Sequence, residues 1–338
     1  MNLNQQILNL FEDDSVELFS QVALAVFRYQ ANYNTLYKRF LSIIKCDPSK
    51  IIEVNEIPLL PISCFKRHII KTGEWQSEKI FLSSGTMKDG VRSQHHIRSL
   101  DWYHMISSSI FKTKMIGASQ SEIISLLPSY IENGDSSLVE MVNHLQHNST
   151  TDIPFSFLYE FDNLNNRLLS SLDKGKPVIL IGVTFALLDF AEKYHIDNSK
   201  LSIIYTGGMK NRRAELEPDE IRYKLKNSFP QSNIYSEYGM TEMQSQAYTD
   251  NGGLFSISPS LRILIKEFQD PLTNRSMTKT GQIGIIDLAN IDTLSFILTD
   301  DLGVKTSENK FQVLGRLSNS DMRGCHLLYD SKRRLIAD

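Results

Sequence analysis

The chain has 338 residues, 41% hydrophobic and 22% charged, an ordinary globular composition with ample material for a core. A net charge of -3 gives no broad basic field, which argues against nucleic acid or an anionic membrane surface as a partner. Three scattered cysteines, Cys46, Cys64 and Cys325, make neither a disulfide framework nor a zinc site.

The stretch from Met1 to Phe11 lacks a basic start and soon meets Glu12-Asp13-Asp14, so it does not read as a signal peptide. Residues 1 to 60 read as a helical N-terminal part. Val16 to Gln30 sets Leu18, Val22, Val26 and Phe27 at helical spacing, with Asp14 or Ser15 as cap. Ile57 to Ile62, punctuated by Pro58 and Pro61, reads as an extended connector pinned against the core.

Lys79 to Leu82 reads as a short strand running into Ser83-Ser84-Gly85-Thr86. A hydroxyl-rich glycine loop after a strand can cradle an anion, but the Walker spacing is absent and by themselves the residues favour an ordinary turn. A helix is expected over roughly Arg98 to Phe111. The histidine pairs His95-His96 and His144/His147 have no metal-ligand spacing or partners, and read as ordinary surface or structural residues.

The middle of the chain alternates. Val178 to Gly182, Leu201 to Tyr205 and Asn233 to Tyr235 read as strands; Ala186 to Tyr194 and Glu220 to Asn227 read as helices. This β-α-β-α-β order implies a parallel sheet with ligands beyond its carboxyl edge. Thr184-Phe185, Thr206-Gly207-Gly208 and Ser236 to Glu242 can then share one rim. The last stretch reads as a single turn with the parts of a nucleotide site. Its ring can cover adenine, its glycine admits close backbone approach, its hydroxyl can bond phosphate and its carboxylate can hold Mg²⁺. The most apolar segment, Val178 to Phe190, is too short to span a bilayer, so a cytoplasmic protein with no integral membrane segment is expected. Beyond residue 250, Leu261–Lys266, Gln282–Leu288 and Leu294–Thr299 read as strands of a small antiparallel sheet or barrel. Asp300 to Gly303 and Leu314 to Arg316 read as its interruptions.

Five motifs in order, Phe81–Thr86 (FLSSGT), Tyr205–Gly208 (YTGG), Ser236–Glu242 (SEYGMTE), Leu298–Gly303 (LTDDLG) and Gly315-Arg316, resemble the core motifs of the adenylate-forming enzymes. Ile57–Lys66, Leu126–Tyr130, Gly182–Asp189, Tyr205–Arg213 and Arg323-Gly324-Cys325 make the chain similar, within that superfamily, to acyl-protein synthetases of the LuxE type. The resemblance covers the chain from about residue 50 to its end. It implies an α/β fold: a parallel-sheet large domain with a helical N-terminal part and a β-rich subdomain. Its expected segments are residues 1–60, a nucleotide- and acyl-binding core at 61–250, the β-rich part at 251–316 and a short segment at 317–338 carrying Cys325. The small C-terminal domain usual in the superfamily, with its lysine, is expected to be absent or reduced to a stub.

The same resemblance implies ATP and Mg as cofactors and a fatty or other carboxylic acid as substrate. Ser83, Ser84, Gly85 and Thr86 correspond to the phosphate-handling loop, and Gly207, Gly208, Tyr238 and Gly239 to the surroundings of adenine. Thr241 corresponds to the α-phosphate contact, Glu242 to the Mg ligand, Asp301 to the ribose-binding carboxylate and Arg316 to the basic residue beside it. Phe185 corresponds to a residue of the acyl pocket or a screen over the nucleotide, and Cys325 to the acyl acceptor. A thiol between Arg323 and His326 suits a nucleophile, because positive neighbours raise its thiolate fraction; a small buried residue in a terminal strand is the structural alternative. An acyl-CoA reductase-like partner is implied only by the resemblance. Two other readings stay open: a small acyl- or aryl-CoA or carrier-protein ligase, and a catalytically silent nucleotide- or acyl-binding subunit.

Overall fold

The computed structural model describes residues 2–84, 91–115, 117–128, 134–149, 157–158, 160–207, 216–250, 252–268, 270–276 and 278–317. Ser15 caps the helix Val16–Tyr33 by accepting from the Leu18 amide, and Phe19, Val22, Ala23, Val26 and Phe27 form its buried stripe. Asn34 ends that helix and caps the next, Thr35–Ile43, through the Tyr37 amide. The helical part is tied to distant chain by Gln30. Its buried amide donates to the Asn290 and Ile291 carbonyls, and its oxygen accepts from the Ser295 amide.

The strands are β1 (Leu60–Pro61), β2 (Lys79–Leu82), β3 (Gln94–Ile97), β4 (Glu122–Leu126), β5 (Val178–Val183), β6 (Leu201–Thr206) and β7 (Asn233–Tyr238). After them come β8 (Ala247–Thr249), β9 (Phe255–Ser256), β10 (Leu261–Lys266), β11 (Gly281–Asp287), β12 (Phe296–Ser307) and β13 (Lys310–Arg316). β2 and β3 form a separate hairpin, and the others make one sheet in the order β10-β11-β12-β13-β9-β8-β7-β6-β5-β4, with β1 beside β12. β4 to β7 pair in parallel, whereas β7 through β10 along that path pair antiparallel.

The parallel strands β4 and β5 are buried along their whole length, as strands covered on both faces must be. The helix Thr184–Ala191 packs on β5 and β6 and Pro218–Ser228 on β7, the latter starting at Pro218, where a missing N–H costs nothing. Phe190 stacks on Phe229 and meets Phe161 edge-on, closing this layer. β1 is the expected pinned connector: Ile57, Leu59 and Leu60 are buried and Leu60 pairs with Ile297.

Two differences from the sequence expectation shape the site. β7 runs on through Ser236, Glu237 and Tyr238, because these pair with Tyr205, Thr206, Tyr248 and Ala247 on both sides. The turn proper therefore begins at Gly239. Likewise β12 continues through Asp300 to Gly303, and Gly315-Arg316 end β13 opposite Leu302 and Asp301, with a register shift absorbing the irregularity. The antiparallel strands extend the parallel sheet through β8 and β9.

That extension curls. In a flat sheet β7 and β12, four strand positions apart, would lie about 19 Å from each other. Instead the Tyr238 hydroxyl donates to Asp301 Oδ2 across 2.8 Å. The short β8 and β9 turn the sheet, and the rings of Tyr238, Phe255 and Phe311 fill the inside of the curl with centroids 5.3 to 5.7 Å apart. Among the described residues, no helix is long and apolar enough to cross a membrane.

Candidate active site

The carboxyl edges of β5, β6 and β7 open onto one rim. The Thr184 hydroxyl, at the start of the helix after β5, reaches the Gly207 carbonyl at 2.6 Å and the Thr206 carbonyl at 3.2 Å. This ties two rim segments together. Gly207 is exposed and has φ of +70°, a left-handed conformation that glycine adopts without steric cost. Phe185 follows Thr184 on the same rim and is buried. At the end of β6, the Thr206 hydroxyl donates to Glu237 Oε2.

Tyr238, Asp301 and Arg316 form a chain of polar contacts at the mouth of the curl. Asp301 Oδ2 accepts from the Tyr238 hydroxyl, and Asp301 Oδ1 accepts from Arg316 Nε at 3.2 Å. Burial raises the Asp301 carboxyl above the usual carboxylate range, opposed by the Arg316 charge and the Tyr238 hydroxyl. The Arg316 side chain is mostly exposed, so most of its guanidinium still faces solvent.

The turn from Gly239 to Gln246 is held from beneath. His95 on β3 places Nδ1 2.7 Å from the Thr241 carbonyl and Nε2 3.0 Å from Asn290 Oδ1 and Thr293 Oγ1. A carbonyl only accepts, so Nδ1 donates to Thr241; burial lowers the ring's pKa to about 4, against the hydrogen bonds to Thr241 and Asn290. Asn290 Nδ2 donates to the Glu242 carbonyl at 2.7 Å. Buried Asp287 accepts from the Gln244 and Ser245 amides at 2.7 and 3.0 Å and from the Ser245 hydroxyl at 2.6 Å. Thr241 and Glu242 thus ride on a clamped backbone. The Glu242 carboxyl is buried; burial raises its pKa, against a hydrogen bond from Ser93 and the nearby charges of Arg316 and Lys66. A Cβ at Gly239 would stand 2.3 Å from Glu237 Oε1, so a side chain there would require the Glu237 carboxyl to move.

Ser83 lies at the foot of the β2–β3 hairpin, where its amide and hydroxyl pair with Ser93 at 3.0 Å, and Ser84 is exposed just beyond. Arg92 donates to the Leu82 and Ser83 carbonyls. Ser93 reaches Glu242 and His95 reaches Thr241, so this hairpin joins the base of the hydroxyl-rich loop to the turn. Of the sequence candidates, Gly85, Thr86, Gly208 and Cys325 lie outside the described residues. The remainder, Ser83, Ser84, Phe185, Gly207, Tyr238, Gly239, Thr241, Glu242, Asp301 and Arg316, belong to the rim, the turn, the hairpin foot or the mouth of the curl.

Sequence reading did not single out Glu237, Asn290 or Asp287, and took His95 as ordinary. His95 and His96 do point to opposite faces, as neighbours on a strand must, but His95 is fully buried under the turn. Cys46 and Cys64 are half-buried and packed against the core.

This fold is that of the adenylate-forming ligases. Solved structures that share it include 2-hydroxyisobutyryl-CoA ligase in an open conformation in complex with 2-HIB-AMP and CoA. It has 12% identity and a TM-score of 0.67, with 90% of this chain and 70% of that one covered. The same ligase in the postadenylation state with R3-HIB-AMP gives 14% identity, 89% and 67% coverage and a TM-score of 0.65. A malonyl-CoA ligase ternary product complex with methylmalonyl-CoA and AMP bound gives 14% identity, 71% and 53% coverage and a TM-score of 0.51. No curated protein sequence matches the chain. The profile of the acyl-protein synthetase (LuxE) family matches residues 1–333, and the chain belongs to that family. It is an ATP-dependent acid–thiol ligase that activates an acyl group as its adenylate.

Proposed function

We propose that the chain joins ATP to an aliphatic carboxylic acid, a fatty acid in the sense the resemblance implies, and passes the acyl group to a protein thiol, that of Cys325. The observation that carries the reading is the linkage of Tyr238, Asp301 and Arg316 beside the clamped turn of Thr241 and Glu242. It gathers a ring, a carboxylate, a cation and a hydroxyl at one mouth, which suits ribose, adenine and phosphate together.

The chemistry accounts for the inventory. A carboxylate oxygen attacks the α-phosphorus, the bond to pyrophosphate breaks, and the product is a mixed anhydride with AMP. The thiolate then attacks the acyl carbon and AMP leaves. Neither step needs a general-base triad; both need alignment and charge neutralisation. In this reading Asp301 receives the ribose hydroxyls, Arg316 and Thr241 meet phosphate, and Ser83 to Thr86 handle the ATP phosphates. Gly207, Gly208, Tyr238 and Gly239 surround adenine, and Phe185 borders the acyl chain.

Magnesium takes few protein ligands, commonly one or two carboxylates besides phosphate oxygens. Glu242 is one such carboxylate. Among the described residues no group of three acidic, histidine or cysteine side chains could hold a metal ion. When bound, magnesium supplies charge neutralisation at the phosphates. An acyl-CoA reductase-like protein fits as the next acceptor. ATP–pyrophosphate exchange across a panel of aliphatic and aromatic acids tests the activation step. Acid-dependent exchange upholds it, and measurable ATP binding without exchange for any acid overturns it.

A further inference from the structure

Thr206, Glu237 and Tyr248 stand side by side across three strands: Thr206 pairs with Glu237, and Glu237 with Tyr248. Directly paired residues project to the same face, so the three side chains line one row. The helix Leu100–Lys114 covers that row. Phe111 meets the Tyr248 ring edge-on at 5.9 Å; burial raises the phenols of Tyr103 and Tyr248, and the nearby Glu237 charge adds to it in both.

The hydrogen-bonding of this row is incomplete. Glu237 receives the Thr206 hydroxyl, and the Tyr103 hydroxyl is spent on the Ser137 carbonyl at 2.9 Å. The Tyr248 hydroxyl, on a residue only 2% exposed, has no partner among the described residues. Glu237 has no ion-pair partner among them either. Burial pushes its carboxyl up to about 7, against the Thr206 hydroxyl. Yet Glu237 is not sealed: it keeps partial exposure while Tyr103 and Tyr248 behind it are closed off. The row has a closed aromatic end at Tyr103 and Tyr248 and a partly exposed residue, Glu237, near the end of β7, next to the turn that carries Thr241. A carboxyl placed there against an unsubstituted alkyl chain is a desolvated group without compensation. Matched to a donor, it becomes a strong recognition element.

We propose that Glu237 is a specificity-determining residue: the acid activated here bears a hydrogen-bond-donating group, hydroxyl or amino, which the Glu237 carboxyl receives with Tyr248 beside it. The inference rests on the acid-activation reading above and narrows its substrate class from plain to donor-substituted aliphatic acids.

The test compares octanoic acid with its 2-hydroxy, 3-hydroxy, 2-amino and 3-amino counterparts in ATP–pyrophosphate exchange, using wild type, Glu237→Gln and Glu237→Leu. At least one substituted acid should exceed octanoic acid in kcat/KM by about 10- to 100-fold in wild type. Glu237→Leu should erase that advantage. Glu237→Gln separates the donors, keeping a hydroxy acid and losing an amino acid. Octanoic acid equal to every substituted acid in wild type, or a preference that survives Glu237→Leu, overturns the assignment. Thermal melting serves as the folding control: Glu237→Gln keeps an acceptor for the Thr206 hydroxyl and should melt like wild type, whereas Glu237→Leu removes that acceptor and should melt somewhat lower. If no acid supports exchange, the activation reading fails on its own account. Calorimetric titration of the same five acids then decides the pocket separately. Tighter binding of a substituted acid, lost in Glu237→Leu, upholds it; equal or absent binding overturns it.

Discussion

His95 Nδ1 donates to the Thr241 carbonyl across 2.7 Å, joining a strand of the small hairpin to the turn that presents Thr241 and Glu242. Both ring nitrogens are engaged inside the protein, so the ring's task is to fix the turn. His95→Ala should lower stability by about 1–3 kcal/mol, the usual cost of orphaning a buried polar partner. Exchange activity should fall through kcat rather than through the KM for the acid.

The same residue sets an acid limb. Its pKa falls from 6.5 to about 4 on folding, so its contribution is fully present above about 6.5 and is lost as the pH drops toward 4. The difference in unfolding free energy between wild type and His95→Gln should therefore shrink across that window, by up to about 3 kcal/mol. A flat difference between pH 7 and pH 4 in urea titrations would contradict this.

Asp301 is shared between Tyr238 and Arg316, and each partner holds a different oxygen. Asp301→Asn keeps the shape while removing the charge that Arg316 faces. We expect the KM for ATP to rise about 10- to 100-fold, with a smaller rise for Tyr238→Phe, which removes one neutral donor. Unchanged ATP dependence in both variants rules out the nucleotide role of this linkage.

Glu242→Gln retains the buried volume but cannot ionise. Exchange should become strongly deficient at ordinary Mg²⁺ and should be partly recovered at high Mg²⁺. Full activity at low Mg²⁺ removes Glu242 as the metal-holding carboxylate.

Cys325→Ala separates the two chemical steps. Acid-dependent pyrophosphate exchange should persist, whereas the hydroxylamine-sensitive acyl label on the protein should vanish. Continued consumption of acid and ATP with formation of acyl-CoA would instead favour a coenzyme A ligase.

The parallel strands were legible because Val178 to Gly182 is an unbroken apolar run and Leu201 to Tyr205 is interrupted only by Ser202, both between helical segments, and local pattern decides such elements. Asp301 could be named from its motif, but not its bond to Tyr238, a residue 63 positions away that reaches it only because the sheet curls. His95 was opaque for a related reason. Its partner is a backbone carbonyl 146 positions along the chain, and a carbonyl leaves no mark in the sequence. Glu237 was hidden inside a motif read as a turn, although β7 places it in a strand, where alternation sends it to the opposite face from Tyr238.

The curl also has a mechanical meaning. Among the described residues, the parallel strands connect along the sheet to the antiparallel ones through Ala247–Thr249 and Phe255–Ser256, two of the shortest strands there. Tyr238 and Asp301 stand on opposite sides of that narrow isthmus. On the proposed role of these two residues, a nucleotide held by both would act as a cross-brace, and the two flanks should melt as a more cooperative unit when it is bound than when it is not. Ligand affinity and the sharpness of unfolding then become two measurements of one joint.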